Sequence, residues 1–216
     1  MALHEWNPLH EPIFLEVSKD IFCCVLKIPS EPRDVTYSMI PFTNANFDAM
    51  VPIRREQHAA GRYCLKKVIQ KAEIDCQGIS QTFPMIVKTN LGDFPASISH
   101  CETLAIAVLS RTHHQIGVDI ESKNRIIPIS ILDQFCTQNE IDKLSSDSST
   151  NNRLNLWMVK EAVSKATGDG MSVAKEIQID NRFAQYNSSE FELIRFEFED
   201  YIITIAVLYS DSSIDK

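Results

Sequence analysis

The sequence predicts an α+β protein made of two similar α/β halves, residues 1–110 and 111–216, that form an intramolecular pseudo-dimer. Two observations support this prediction. The four residues IAVL occur at 106–109 and again at 205–208, an offset of 99 residues. The same offset lays a helical pattern at 55–72 over a second one at 154–171. A short identity is weak alone, but its agreement with the helix spacing indicates an internal repeat.

The composition limits the classes of protein to consider. With 44% hydrophobic and 23% charged residues in 216, the chain is typical of soluble globular proteins. It has no leading signal peptide and no apolar run near the ~18 residues of a membrane span, so we expect neither secretion nor membrane insertion. Six cysteines without a CxxC pair favour reduced thiols in a cytoplasmic protein. A net charge of −8 argues against non-specific nucleic-acid binding.

The first half contains a basic helix. Residues 1–48 are interpreted as one strand at 21–28 among loops and short pieces, and helical spacing follows at 54–71. That segment carries six basic residues against one acid, Glu56. The pattern fits a solvated basic face, and it equally fits a phosphate-binding patch, because arginine forms bidentate bonds with phosphate. Arg54 and Arg62 are about two turns apart, so they project from similar sides.

Two motifs lie around the middle of the chain. The segment SISHC at 97–101 precedes an apolar strand at 104–110, and a lone histidine there is often structural. The next predicted strand, QIGVDIE at 115–121, places Asp119 and Glu121 on one face. Adjacent carboxylates repel unless a cation lies between them, and Mg²⁺ prefers such oxygen ligands. Taken alone, Asp-x-Glu is also frequent on exposed strands.

The second half continues with helices and then strands. Residues 131–144 predict a helix, a break near Thr137 and a second helix. A polar stretch at 145–153 is predicted to be a mobile loop. Strands are predicted at 177–179, 191–198 and 201–208, and we expect the tail at 210–216 to be frayed.

The central feature of this half is a helix with the sequence WMVKEAVSKATGDG at 157–170, ended by Gly168 and Gly170. Glu161 and Lys165 lie one turn apart, and the helical projection places them in an apolar arc. On an exposed face they would form an ordinary ion pair worth a few tenths of a kcal/mol. On a buried face such charges need a partner or a metal, so we predict that this helix forms one wall of a site.

Taken in order, the Arg-rich helix, SISH, GVDIE and W-x-x-K-E-x-x-x-K resemble the 4′-phosphopantetheinyl transferases. The resemblance covers residues 54–170 and is strongest to the single-chain pseudo-dimeric type of siderophore and other nonribosomal peptide biosynthesis. It implies a Mg²⁺-dependent holo-[acyl-carrier-protein] synthase that binds coenzyme A between two α+β halves. This enzyme would transfer 4′-phosphopantetheine to a serine of an apo acyl, peptidyl or aryl carrier protein and release adenosine 3′,5′-bisphosphate. It implies neither a nucleic-acid nor a membrane partner, and we expect a cytoplasmic monomer.

The resemblance also implies roles for individual residues. Mg²⁺ would be held by Asp119, Glu121 and Glu161. Glu161, directly or through a water, would take the serine proton, Lys165 would neutralise the transferred phosphate, and His100 joins them in the catalytic set. Coenzyme A would be bound by Ser99, His100 and Lys165, with Arg54 and Arg62 on its 3′-phosphate. The tryptophan–proline segment of relatives is missing from residues 81–93, where Lys88 is the available basic substitute.

Two other functions use the same residues. A Mg²⁺-dependent phosphodiester hydrolase acting on coenzyme A-like substrates would use these carboxylates with water as the nucleophile. A non-catalytic coenzyme A- or carrier-binding protein would not need Glu161 and Lys165, because binding alone requires no base.

Overall fold

The computed structural model of the chain describes residues 6–33, 35, 40, 49–80, 82–146 and 150–209. The chain divides into two compact units, Met1–Arg111 and Thr112–Lys216, called here the N-terminal and C-terminal units. In the described residues each unit contains an antiparallel sheet and a long helix packed on it, which confirms the α+β class. The tail at 210–216, predicted to be frayed, lies outside the described residues.

The N-terminal unit consists of helix α1 (Pro52–Lys71) and a mainly meandering sheet. Its strands are β1 (Ile13–Ser18), β2 (Ile21–Lys27), β3 (Cys76–Ile79), β4 (Met85–Thr89), β5 (Gly92–His100) and β6 (Leu104–Ser110). They are arranged in the order β1-β2-β6-β5-β4-β3, with antiparallel pairing throughout. Pro52 suits the first turn of α1, where its missing N–H costs nothing. Ala59, Leu65 and Val68 form the fully buried face that packs on the sheet.

The C-terminal unit has the same layering with a different connection. Its strands are β7 (His113–Ser122), β8 (Gln178–Asp180), β9 (Phe183–Tyr186), β10 (Ser189–Phe198) and β11 (Tyr201–Tyr209), in the order β7-β11-β10-β9-β8. Its helices are α2 (Leu132–Phe135), α3 (Gln138–Ser146) and α4 (Thr150–Thr167), with 3-10 turns at Ile129–Ile131 and Met171–Glu176. Helix α4 ends at Thr167. The next residue, Gly168, has a φ of 85°, which favours glycine, and its N–H donates to the Ser164 carbonyl at 2.9 Å.

Close packing of α4 on β7 depends on one glycine. A Cβ placed on Gly117 would lie 1.9 Å from the carbonyl oxygen of Ala162 and 2.6 Å from the backbone nitrogen of Ala166. Because the strand has no side chain at this point, the helix backbone rests directly on it. Gly117 therefore sets the distance between the two elements that carry the predicted carboxylates.

Several elements differ from the sequence-based expectations. Strands β1, β3, β4 and β9 were not predicted, and the segment 97–100 lies within β5 rather than before a strand. Pro95 lies inside β5, where proline is rare because it donates no ladder hydrogen bond. The predicted loop at 145–153 is wrong at both ends, because α3 extends to Ser146 and α4 begins at Thr150; residues 147–149 are outside the described part.

Candidate active site

The C-terminal unit brings Asp119, Glu161 and Lys165 together. Asp119 lies on β7 and is 3% exposed, whereas Glu161 and Lys165 lie one turn apart on α4. The Lys165 Nζ donates to Asp119 Oδ1 at 2.7 Å and lies 3.6 Å from Glu161 Oε2. Two carboxylates from different elements therefore share one ammonium group. The pair is held around the Lys165 ammonium, and the Mg²⁺ site expected at Asp119, Glu121 and Glu161 stays a prediction.

Glu121 lies two residues further along β7 and has a different partner. Its carboxylate is paired with the guanidinium of Arg125, four residues on. That guanidinium also lies over the Trp157 ring, 5.4 Å from its centroid, and so links the end of β7 to α4. Arg125 was not identified from the sequence, because i,i+4 spacing indicates pairing only on a helix and Glu121 lies near the end of a strand.

The ionisation of Glu161 is altered by its surroundings. Burial raises the pKa of Glu161 above its usual value; Lys165 opposes this increase, and the nearby Asp119 carboxylate reinforces it. A carboxylate with a raised pKa is a stronger base at neutral pH. Glu161 therefore has the environment expected of a general base.

The helical projection was partly wrong about which charge is buried. The Glu161 and Lys165 side chains are 21% and 24% exposed, so they lie at the edge of the packed face. Lys160, the preceding residue, is instead completely buried. The reason is that helices α2 and α3 cover a second side of α4, next to the side that faces the sheet. No hydrophobic periodicity in the sequence indicates this second contact.

The carboxylate oxygens of Asp119, Glu121 and Glu161 are the kind of ligand that a hard divalent cation prefers. Their present positions do not form a complete metal site. Among the described residues no group of three His, Cys, Asp or Glu side chains is close enough to hold a metal ion as it stands. Asp119 and Glu161 already converge on a positive charge, and Mg²⁺ needs only one or two carboxylates when phosphate and water complete its shell. The donor set therefore suits Mg²⁺ once Lys165 and Arg125 give way.

In the N-terminal unit, His58, Arg62 and His100 form a second cluster. The Gln57 side chain, next to His58, donates to the Cys101 carbonyl at 3.2 Å and so holds α1 against the end of β5. Burial, together with the charges of Arg62 and His100, lowers the pKa of His58 to about 4. Burial also lowers the pKa of Arg62, whose Nη1 is buried without a hydrogen-bond partner among the described residues. A partly buried guanidinium with an unsatisfied donor suits an anion.

The other residues of this unit that were predicted to bind coenzyme A do not all belong to the cluster of His58, Arg62 and His100. Ser99 is 5% exposed and precedes His100 on β5, so the two side chains project to opposite faces of the sheet. Arg54 is exposed, and its Nη1 bonds to Gln57 Oε1 at 3.2 Å. Lys88 is exposed on β4. His58 was missed in the sequence, although its position four residues before Arg62 places both on one side of α1.

Two further structural features bear on the environment of the protein. All six cysteines belong to the described residues, and each is a free thiol. Over the described ranges, none of the helices combines the length and apolar character needed to cross a bilayer.

Comparison with known proteins gives three findings. Residues 115–206 match the 4′-phosphopantetheinyl transferase superfamily. The chain is 34% identical over 84 residues to the 4′-phosphopantetheinyl transferase gsp of Aneurinibacillus migulanus, a match covering 38% of this chain and 34% of that protein. It is also similar to the holo-[acyl-carrier-protein] synthase structure of Thermotoga maritima, with 14% identity, a TM-score of 0.34 and coverage of 44% of this chain and 63% of that chain. The match to the Aneurinibacillus migulanus protein thus spans only about a third of the length of that protein.

Proposed function

We propose that this chain belongs to the 4′-phosphopantetheinyl transferase superfamily. It would transfer 4′-phosphopantetheine from coenzyme A to a serine hydroxyl of an apo carrier protein and release adenosine 3′,5′-bisphosphate. The contact of Lys165 with both Asp119 and Glu161 is the main support, because it lies within the residues that match the family. Phosphoryl transfer depends mainly on positioning and charge neutralisation, which such a cluster supplies.

Mg²⁺ would be held by Asp119, Glu121 and Glu161, and when bound it would neutralise negative charge on the pyrophosphate of coenzyme A. Before that, Lys165 and Arg125 balance the charge of these carboxylates. Lys165 then turns its ammonium towards the phosphate being transferred. The same side chain therefore serves as a counter-ion to the carboxylates and as a ligand of the phosphate.

Glu161 takes the proton of the attacking serine, directly or through a water. A serine hydroxyl has a high pKa, so its attack on phosphorus requires a base nearby. Burial raises the pKa of Glu161, so its ionised carboxylate is a stronger base than that of an exposed glutamate.

The two units have different roles in the proposed reaction. The N-terminal unit binds coenzyme A, with Arg62 and Arg54 at the 3′-phosphate and His100 and Ser99 at the other phosphates. The Nη1 of Arg62, which is buried and has no hydrogen-bond partner within the described part of the chain, supports this assignment. The C-terminal unit supplies the carboxylates and the base. We propose that the protein acts as a cytoplasmic monomer on a carrier protein of siderophore or other nonribosomal peptide synthesis.

The test is the intact mass of purified apo carrier proteins after incubation with the chain, coenzyme A and Mg²⁺. Carriers from fatty-acid, polyketide and nonribosomal peptide pathways are compared. We expect a mass gain of one phosphopantetheine group on at least one carrier, lost with EDTA and with Glu161→Gln. The exposed Glu190→Gln, on β10, is the matched control and leaves the gain unchanged.

Other outcomes point to the alternatives. Breakdown of coenzyme A without carrier modification would indicate the phosphodiester hydrolase. Binding of coenzyme A with neither reaction would indicate a non-catalytic protein.

A further inference from the structure

We propose that the ion pair between the buried Lys160 and the partly buried Glu140 is a positioning device that fixes Glu161 against β7; this inference rests on the proposed transferase function. Lys160 is completely buried, and its Nζ donates to Glu140 Oε2 at 2.8 Å and to the Phe135 carbonyl at 2.9 Å. It therefore ties α4 to the corner between α2 and α3. The proposed transfer reaction does not use the positive charge of Lys160.

Glu140 is itself held rigidly. Its Oε2 accepts from the backbone N–H of Thr137 at 2.7 Å and from the Thr137 hydroxyl at 3.1 Å, and Glu140 N–H donates back to Thr137 Oγ1 at 3.3 Å. This is a capping box at the start of α3. The carboxylate that receives Lys160 is thus fixed by its own helix end, so the ion pair transmits the position of α3 to α4.

Phe135 gives the corner a second attachment to α4. While its carbonyl accepts from Lys160, its ring packs edge-on against Trp157 with centroids 5.0 Å apart. Trp157 and Lys160 are about one turn apart on α4. Two points of the helix are therefore fixed to the same corner, which restrains rotation of the helix about its axis.

Glu161 lies between two fixed neighbours. Lys160 on one side is bonded to the corner, and the Ala162 carbonyl on the other side lies against Gly117 of β7. Consecutive helical residues project about 100° apart, so a small rotation of α4 would move the Glu161 carboxylate away from Asp119. A buried ion pair adds little net stability compared with apolar packing, which leaves positioning as the better explanation for a buried lysine here.

The test compares Lys160→Met, Glu140→Gln and, as the matched control, Arg153→Met. Methionine keeps the length of the lysine without its charge, and glutamine preserves the cap acceptor while removing the negative charge. Arg153 also ties α4 to the preceding segment, through a 3.1 Å bond to the Ile127 carbonyl, but two turns away from Glu161. Each variant is measured for kcat, for KM of coenzyme A, for Mn²⁺ affinity without substrates by electron paramagnetic resonance, and for thermal midpoint.

We expect Lys160→Met to lower kcat about 10- to 100-fold with little change in KM for coenzyme A, and to weaken Mn²⁺ binding. Glu140→Gln should act in the same direction and provides the test if Lys160→Met does not fold. Arg153→Met should lower the thermal midpoint but leave kcat and Mn²⁺ affinity unchanged at temperatures well below that midpoint.

If the Lys160 and Glu140 variants behave like Arg153→Met, the positioning role is wrong although the proposed function stands. If the unmodified chain modifies no carrier, the proposed function fails first and this inference fails with it.

Discussion

At the residue scale, the carboxylates of the candidate site in the C-terminal unit are paired with positively charged side chains, those of Lys165 and Arg125. Arg125 is paired with Glu121 and stacked on Trp157, so a divalent cation must displace it from that carboxylate. We predict that Arg125→Gln raises the affinity for Mg²⁺ about two- to fivefold, the range set by a partly exposed ion pair. Isothermal titration with Mg²⁺ measures this.

The control is Lys123→Gln, which removes a nearby positive charge that is paired with Glu197 instead. Equal affinities for the Arg125 and Lys123 variants would mean that only the general charge matters and that Arg125 does not compete with the metal.

His58 gives a second residue-scale prediction. Its folded-state pKa of about 4 is below the ordinary 6.5, so the unfolded chain binds a proton more readily between these values. The contribution of His58 to stability is therefore complete above pH 6.5 and is lost as the pH falls towards 4. As the pH is lowered from 6.5 to 4, we expect the thermal midpoint of His58→Gln to fall less than that of the unmodified chain.

The exposed His114→Gln is the control for this experiment. If both histidine variants follow the pH profile of the unmodified chain, His58 does not have the lowered pKa on which this prediction rests.

At the element scale, the contact between β7 and α4 determines the site. Gly117 allows the Ala162 carbonyl to approach the strand, and this places α4 beside Asp119. We predict that Gly117→Ala destabilises the protein by about 1–3 kcal/mol, because backbone atoms must move apart to admit a methyl group. It should also reduce transfer activity, since Lys165 and Glu161 move with the helix.

Gly78→Ala is the matched strand control, because nothing lies within 4 Å of its added Cβ. Urea unfolding of both variants gives the comparison. A Gly117→Ala protein as stable as the Gly78→Ala protein would contradict this account of the helix–strand contact.

The elements also explain which parts of the fold the sequence could predict. Helix α1 and strands β2, β6, β7, β10 and β11 have strong periodicity or long apolar runs, and all were predicted. Strands β3 and β9 have only four residues each, and β5 contains Pro95, so their local signals were weak. These strands form because neighbours supply hydrogen bonds and burial that no local pattern encodes.

At the scale of the whole molecule, the internal repeat corresponds to equivalent positions in the two units. Residues 106–109 lie in β6 and residues 205–208 in β11, each between two antiparallel partners. Helices α1 and α4 each pack on the repeated strand of their own unit. A four-residue identity therefore indicated the shared layering of both units.

The candidate site was predictable to the extent that its spacing is local. Asp119 with Glu121, and Glu161 with Lys165, follow from the strand and helix periods. Lys160 could not be assigned, because its partner Glu140 lies 20 residues away and only the packing of α3 brings them together. Tertiary partners of this kind have no signature in a single sequence.

The central claim is group transfer from coenzyme A to a carrier serine, and the most direct measurement is its stoichiometry. Released adenosine 3′,5′-bisphosphate and modified carrier are quantified in one reaction, beside a carrier whose acceptor serine is replaced by alanine. We predict equal amounts of both products with the intact carrier and neither product with the alanine carrier. Release of the nucleotide with the alanine carrier would contradict the transferase and indicate hydrolysis of coenzyme A.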